Sequence, residues 1–397
     1  MKLLELQVEG YRSLKNVTWK PTDLNVLIGP NGSGKTNLVS MLKLLAVVAR
    51  GGLKKYIAEQ GGLQSMCWDR KSDPIQLGVK TLETMEPGEE DSQETFSYKL
   101  RFSMEARGFD YSLMEHLSRV IRSHGQPDEE YELVNRPALP SITGLAMRLG
   151  ALPNEEEYDL NESVLTVYRA SIGHYITVGA FARFLKGWTI YHELDTNQDA
   201  PIRRAVPAQW EKALAEDTSN VVAYLHTFCS EDRDFKRDLE LAMKAAFGDD
   251  FEELVFAPAS DQRIQMRIRW RSLKNPISAP DLSDGTLRFL FLVGALLNPQ
   301  PPPMIVLEEP EIGLHPRMMS IIAEYAVDAA ERTQVIFTTH SPDFLSAFRD
   351  TIPTTTVCNW ENGETVLRVL EDKDMKYWLQ EYTLGQFAFS GAAEAVE

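Results

Sequence analysis

Leu24-Asn25-Val26-Leu27-Ile28-Gly29-Pro30-Asn31-Gly32-Ser33-Gly34-Lys35-Thr36 decides the reading of this chain. Five residues of strand character run straight into a glycine-rich loop that matches G-x-x-x-x-G-K-[ST] at every fixed position. After the loop, Leu38, Met41, Leu42, Leu45 and Val48 recur at near-helical spacing up to Gly51-Gly52, where a helix is expected to stop. In such a strand–loop–helix unit the glycines let backbone N–H groups turn inward around a polyphosphate. The helix N-terminus adds the positive end of its dipole. The lysine, Lys35, neutralises β- and γ-phosphates, and the Thr36 hydroxyl is placed to hold Mg²⁺. The stretch Asn31, Gly32, Ser33, Gly34, Lys35, Thr36 and Asn37 is therefore the expected binding segment for a nucleotide's polyphosphate.

About 270 residues on, Met304-Ile305-Val306-Leu307 is a short apolar run typical of a strand buried on both faces, and it ends in Glu308-Glu309-Pro310-Glu311. Ligands of parallel sheets gather at the carboxyl ends of strands. There, Glu308 is expected to reach Mg²⁺ through water, and Glu309 to orient and activate the attacking water. The first of such a pair is usually aspartate; the longer Glu308 keeps the charge and changes the reach. A helix over about Pro316–Glu331 and a second buried strand, Gln334–Thr338, follow, so strand, helix and strand imply a parallel sheet.

Composition sets the frame. The chain has 397 residues, 43% hydrophobic and 25% charged, with a formal net charge of −17. These are the values of a globular protein, not of a disordered or collagenous one. The acidic balance argues against a wholly basic nucleic-acid coat. Apolar runs such as Phe289–Leu297 are far shorter than the ~20 residues a bilayer span needs, so no membrane partner is expected. Lys2 and Glu5 within an alternating start argue against a signal peptide. Cys67, Cys229 and Cys358 are far apart and form no C-x-x-C pair, which fits a reducing cytoplasm. His116, His124, His174, His192, His226 and His315 show no ligand spacing, and no transition-metal site is expected. The absence of an Asn-Lys-x-Asp segment disfavours a GTPase.

Four further segments carry a resemblance. Leu282-Ser283-Asp284-Gly285 resembles the signature motif of the ATP-binding-cassette superfamily. Glu308–Pro316 resembles the Walker B and D-loop of its RecF/SMC-like branch, Thr338-Thr339-His340-Ser341-Pro342 the switch-histidine segment, and Tyr11-Arg12-Ser13-Leu14 the N-terminal aromatic–basic–serine element. With the phosphate loop, five motifs stand in the family's order. The chain is most similar to the short stand-alone AAA family ATPases that resemble the ATPase half of OLD-type nucleases.

The resemblance implies an α/β fold: an ABC-type P-loop ATPase head with a mixed or parallel sheet and an inserted, mostly helical lobe. It implies that Arg12 lies near the nucleotide, that His340 contacts the γ-phosphate, and that Ser283 and Gly285 cover the γ-phosphate held by another subunit. Because one chain carries one phosphate loop and one signature, two complete sites need a homodimer, or a higher oligomer, around two ATP. It further implies Mg-dependent ATP hydrolysis that gates a separate effector such as a nuclease or toxin, in DNA maintenance, repair or antiviral defence. The alternative is a nucleotide-gated DNA-binding scaffold with very slow turnover. A transporter subunit is disfavoured by the 248 residues between Lys35 and Ser283, which demand an insertion. The 57 residues after His340 are too few for a TOPRIM domain, so cleavage is expected from another chain. Trp378–Gly385 resembles the end segment of the short ATPases.

The expected organisation is 1–105 for the N-terminal part of the head, 106–175 for the helical lobe and 176–397 for the rest. Ile75–Leu82 and Thr95–Met104 read as paired strands around the polar turn Glu86–Asp91, and Leu113–Ile121 as a helical patch. The Q-loop glutamine has two candidates without a local motif, Gln60 and Gln64. Arg263–Arg271 alternates, placing Arg267, Arg269 and Arg271 on one strand face: a solvated stripe, or a contact for DNA phosphates.

Overall fold

The computed structural model describes residues 1–70, 74–83, 92–104, 111–123, 128–137, 159, 161–166, 174–192, 194–349 and 351–370. The turn at Glu86–Asp91 and the segment Trp378–Gly385 lie outside them. The chain divides into two compact units.

The first unit comprises Met1–Asp23, Gly29–Trp188 and Thr356–Val369. Its framework is an antiparallel sheet of β1 (Lys2–Tyr11), β2 (Leu14–Trp19), β4 (Ile75–Glu83), β5 (Ser92–Met104), β6 (Tyr111–Ser123) and β7 (Glu129–Arg136), in the order β2-β1-β4-β5-β6-β7. β1 and β2 are joined by a two-residue turn in which Arg12 takes φ 46°. Phe96, Tyr98, Leu100 and Phe102 alternate on the buried face of β5, and Phe181 of α4 (His174–Lys186) packs on the first two, with ring centroids 5.8 and 5.5 Å away. α1 (Lys35–Arg50) carries the expected apolar face and ends at Gly51 with φ 92°; the short α2 (Leu53–Glu59) and α3 (Leu63–Met66) follow. The hairpin of β15 (Thr354–Glu361) and β16 (Glu364–Val369) lies against β2, where Trp19 Nε1 donates to Thr356 Oγ1 at 3.2 Å.

The expected pairing of Ile75–Leu82 with Thr95–Met104 is present. The expected helix at Leu113–Ile121 is not: these residues form β6, and Glu129–Arg136 adds β7, so a mostly helical character for 106–175 does not hold over these strands. The misreading has a cause. Glu115 sits on the buried face among Tyr111, Leu113 and Leu117, while Met114 on the opposite face is exposed, so the apolar alternation is broken on both sides. The Glu115 carboxylate is paired there with Arg136 Nη1 at 2.9 Å and accepts from Tyr98 Oη at 2.6 Å, Ser163 Oγ at 2.5 Å and the amide of Val164 at 3.0 Å.

The second unit comprises Leu24–Ile28, Thr189–Thr355 and Leu370–Glu397. The strands β3 (Leu24–Ile28), β14 (Gln334–Thr339), β13 (Met304–Glu308) and β8 (Thr189–Tyr191) pair in that order, all parallel. β3 and β14 are buried along their whole length, as strands covered on both faces must be. α8 (Pro316–Ala330) makes the crossover from β13 to β14, as read from the sequence. α5 (Val221–Glu231), α6 (Arg233–Phe247), α7 (Asp284–Leu296) and the short α9 (Pro342–Ser346) belong to the same unit. So does an antiparallel sheet of β10 (Phe251–Ala259), β11 (Arg263–Trp270), β12 (Ile277–Ser278) and β9 (Val206–Pro207).

Candidate nucleotide-binding and hydrolysis elements

The loop Gly29–Gly34 begins at the end of β3 and closes on itself through the Ser33 amide, which donates to Pro30 O at 3.2 Å. Gly34 has φ 102°, and a Cβ there would stand 1.9 Å from Thr365 Oγ1. That hydroxyl donates to Ser33 O at 3.0 Å and lies 2.6 Å from Ser13 Oγ. Asn37 Nδ2 donates to the same serine at 2.7 Å, which places Asn37 in a brace between α1 and the β1–β2 turn.

Lys35 is buried, and its Nζ donates to Gly29 O at 2.6 Å and Pro30 O at 3.0 Å, across the mouth of the loop. No side chain caps the first turn of α1, so its amides remain for a ligand. Ser33 Oγ is buried without a hydrogen-bond partner. Asn31 and Thr36 are exposed. These features fit a polyphosphate: the uncapped first turn of α1, a lysine on the loop and a hydroxyl without a partner. Thr36, in the first helical turn, is the residue of this unit that would hold Mg²⁺.

Arg12 donates through Nη2 to Gln60 Oε1 at 2.5 Å, and its amide donates to Met66 O at 2.8 Å. Of the two glutamine candidates, Gln60 is thus tied to a predicted site residue, while Gln64 is exposed on α3.

In the second unit, Glu308 closes β13. Its carboxylate Oε1 lies against Nδ1 of His192, at the end of the neighbouring strand β8. Glu309 has φ 46°, and its amide donates to Thr338 O at 2.8 Å, so the chain turns sharply at the carboxyl ends of β13 and β14. His340 Nδ1 lies 3.5 Å from Glu309 Oε1 and 3.7 Å from Glu311 Oε1. Glu311 is buried; its Oε1 accepts from Thr339 Oγ1 and, at 3.4 Å, from the His340 amide, while its Oε2 has no hydrogen-bond partner. The predicted base, the predicted switch histidine and a second carboxylate are thus gathered in one place. Glu311 was legible as part of a motif, but its role as the anchor of Thr339 and His340 was not.

Ser283 is the N-cap of α7: its Oγ accepts from the Thr286 amide at 3.2 Å and lies 2.8 Å from Thr286 Oγ1. It is nonetheless exposed. A Cβ on Gly285 would stand 2.6 Å from Gly313 O, so glycine is required for this approach. The loop before α7 is held by Arg203, which no motif marks.

The arginine stripe divides. Arg269 Nε donates to Glu253 Oε1 at 2.9 Å, Arg267 Nη2 donates to Gln265 Oε1 at 3.2 Å, and Arg271 is exposed. Burial pushes the thiols of Cys229 and Cys358 up to about 12, that of Cys358 against the opposing pull of the Lys35 charge. Among the described residues, no group of three or more His, Cys, Asp or Glu could hold a metal ion, and no helix is long and apolar enough to cross a membrane.

Two family models match the chain. Residues 1–124 match one described as "AAA ATPase domain", and residues 198–346 match one described as "AAA domain, putative AbiEii toxin, Type IV TA system". No curated protein matches the sequence. Among solved structures, an SMC head bound to the C-terminal winged-helix domain of ScpA is similar at 14% identity, over 95% of this chain and 100% of that one, with a TM-score of 0.52. The SMC head domain from Thermotoga maritima is similar at 15% identity, over 94% and 100%, with a TM-score of 0.42. The first likeness shows the mixed α/β fold of an SMC-type ATPase head. The resemblance to RecF/SMC-like ATPases, read from five motifs, is borne out.

Proposed function

We propose that this chain, an ATPase head of the RecF/SMC-like kind, binds and hydrolyses Mg·ATP within a homodimer and thereby gates a separate effector. The observation that carries the reading is the Gly29–Thr36 loop, with Lys35 buried at its rim, Ser33 Oγ unpaired and the first turn of α1 uncapped. Lys35 and the loop amides bind the phosphates. Thr36 and Glu308 are the residues that would hold Mg²⁺, which supplies charge neutralisation of the phosphates when bound. Glu309 accepts the proton of the attacking water, and His340 contacts the γ-phosphate. Arg12 and Asn31 flank the nucleotide. Ser283 and Gly285 of a second chain complete the site.

The effector is a partner protein of nuclease or toxin type. The description of the second matching family, which names a toxin of a toxin–antitoxin system, supports this class, and the winged-helix partner of the similar SMC head supports a protein docking on the head. Calorimetry with Mg·ATP tests the binding site. Lys35→Ala should abolish binding, and Glu309→Gln should keep binding and lose turnover. Equal affinity in wild type and Lys35→Ala would sink the assignment. Mixing Lys35→Ala with Ser283→Arg tests the dimer, because heterodimers carry one lesion-free composite site. No recovered ATPase rate, in mixtures shown by native mass spectrometry to hold heterodimers, would count against shared sites.

A further inference from the structure

We propose that Thr365 is a positioning residue for the nucleotide: through a one-way line of hydrogen bonds from Asn37 it turns the Ser33–Gly34 peptide so that the Gly34 N–H faces the bound polyphosphate. The proposal rests on the ATPase reading of Gly29–Thr36. Thr365 lies beyond residue 346, where the second family match ends. Its backbone is fixed. The two-residue turn Asn362-Gly363, with φ 51° and 86°, closes the β15–β16 hairpin, and the Thr365 amide donates to Ser13 O at 2.8 Å.

The direction of the line follows from the protons present. A hydroxyl has one hydrogen to give. That of Thr365 goes to Ser33 O at 3.0 Å, since a carbonyl only accepts. The 2.6 Å contact between Thr365 Oγ1 and Ser13 Oγ is therefore filled by the Ser13 hydrogen. Ser13 Oγ, its own hydrogen spent, accepts from Asn37 Nδ2 at 2.7 Å. Asn37, Ser13, Thr365 and Ser33 O thus form one line with every donor used in the same sense, and each bond polarises the next. Ser13, Ser33 and Thr365 are buried, where such bonds are costly to leave unmade.

The line ends on a peptide group. That peptide is trans, so its C=O and N–H point in opposite directions. With Ser33 O held toward the hairpin, the Gly34 N–H points away from it, and no backbone carbonyl of the described residues accepts it. Turned over, the same peptide would offer a phosphate a carbonyl instead of a donor. A Cβ on Gly34 would stand 1.9 Å from Thr365 Oγ1 and 2.9 Å from Ser13 Oγ, so the line fills the space that glycine leaves.

The test is calorimetry with ATP and, separately, with inorganic tripolyphosphate, a probe that carries phosphates alone. Thr365→Val removes the hydroxyl at nearly constant volume. It should raise both dissociation constants about tenfold, the low end for one hydrogen bond to a charged group. Thr365→Ser, which keeps the donor, should recover most of the loss. Ser13→Ala leaves the hairpin in place and should weaken both ligands by a smaller factor. In a Thr365→Val background it should add nothing, since a residue acting through another loses its influence with it. Urea midpoints separate this role from stability: a purely structural Thr365 would lower the midpoint and leave both affinities of the folded protein unchanged, which would overturn the proposal. A loss confined to ATP would also overturn it, as would equal losses in Thr365→Val and Thr365→Ser. An unchanged affinity in Ser13→Ala does so even where Thr365→Val fails to fold. If Lys35→Ala binds ATP as tightly as wild type, the ATPase reading itself fails, which is a separate result.

Discussion

Arg203 reaches Asp284, the first residue of α7, with Nη2 2.5 Å from its carboxylate. The other terminal nitrogen of the same guanidinium donates to Ala279 O at 3.1 Å, Pro280 O at 3.0 Å and Leu282 O at 2.8 Å. Nε donates to Thr196 O at 2.8 Å. One buried side chain therefore fixes the path of the whole loop that presents Ser283. Arg203→Ala is expected to cost about 2–4 kcal/mol, because buried carbonyls lose a charged donor. Arg203→Lys should restore only part, since an ammonium cannot serve this fork of partners. Urea denaturation measures the cost, and an unchanged midpoint in Arg203→Ala would contradict it.

Thr339 and Glu311 make a charge-assisted hydrogen bond inside the second unit. Thr339→Val removes the donor at nearly constant volume. A loss of about 1.5–3 kcal/mol is expected for a hydrogen bond to a charged group. Because His340 hangs on the same carboxylate, kcat should fall more than KM rises. A variant with full turnover would show that Glu311 holds the strand end without serving His340.

Arg136 and Glu115 are both buried and face each other at 2.9 Å. Arg136→Met leaves a carboxylate without its counter-charge and should destabilise the protein by about 3–5 kcal/mol. Glu115→Gln combined with Arg136→Met should be milder than Arg136→Met alone, since the uncompensated charge is gone. Equal losses in the two variants would mean the ionic character is irrelevant there.

Cys229 and Cys358, with thiols near 12, hold a thiolate fraction of about one in ten thousand at pH 8. Native protein should react with a disulfide reagent at these positions far more slowly than unfolded protein. Cys358 is the informative one, because its carbonyl would lie 2.3 Å from a Cβ on Gly29. Fast labelling of Cys358 by peptide mass spectrometry would mean that the phosphate loop and its hairpin open readily.

Much of this arrangement was legible because it is local. Leu24–Ile28, the glycines and the apolar face of α1 follow one another, so period and loop chemistry suffice. The run Met304–Leu307 and the alternation at Arg263–Trp270 were readable for the same reason. The misread strand at Leu113–Ile121 shows the limit. Glu115 belongs to the buried face only because Arg136, Tyr98 and Ser163 complete it, and no window of sequence contains them all. Arg203 and Thr365 were missed in the same way: each acts on a segment at least 76 residues distant, and neither sits in a repeating pattern. Gln60 gained a partner in Arg12 that lies 48 residues away.

Gly285 leaves room for the carbonyl of Gly313, and Arg288 one turn later donates to Ile312 O at 3.3 Å. The first turn of α7 is therefore seated directly on the bend that follows Glu309. In the proposed dimer, the segment by which one chain would meet its neighbour's nucleotide rests on the bend that follows its own proposed base, Glu309. Timing would then be a property of the pair: on the proposed reading, a shift of the Ser283 segment against the opposite ligand would be passed to the bend beside Glu309 in the same chain. Enlarging Gly285 would do more than block a contact. It would put a spacer between reading and acting, and the two sites would lose their common clock.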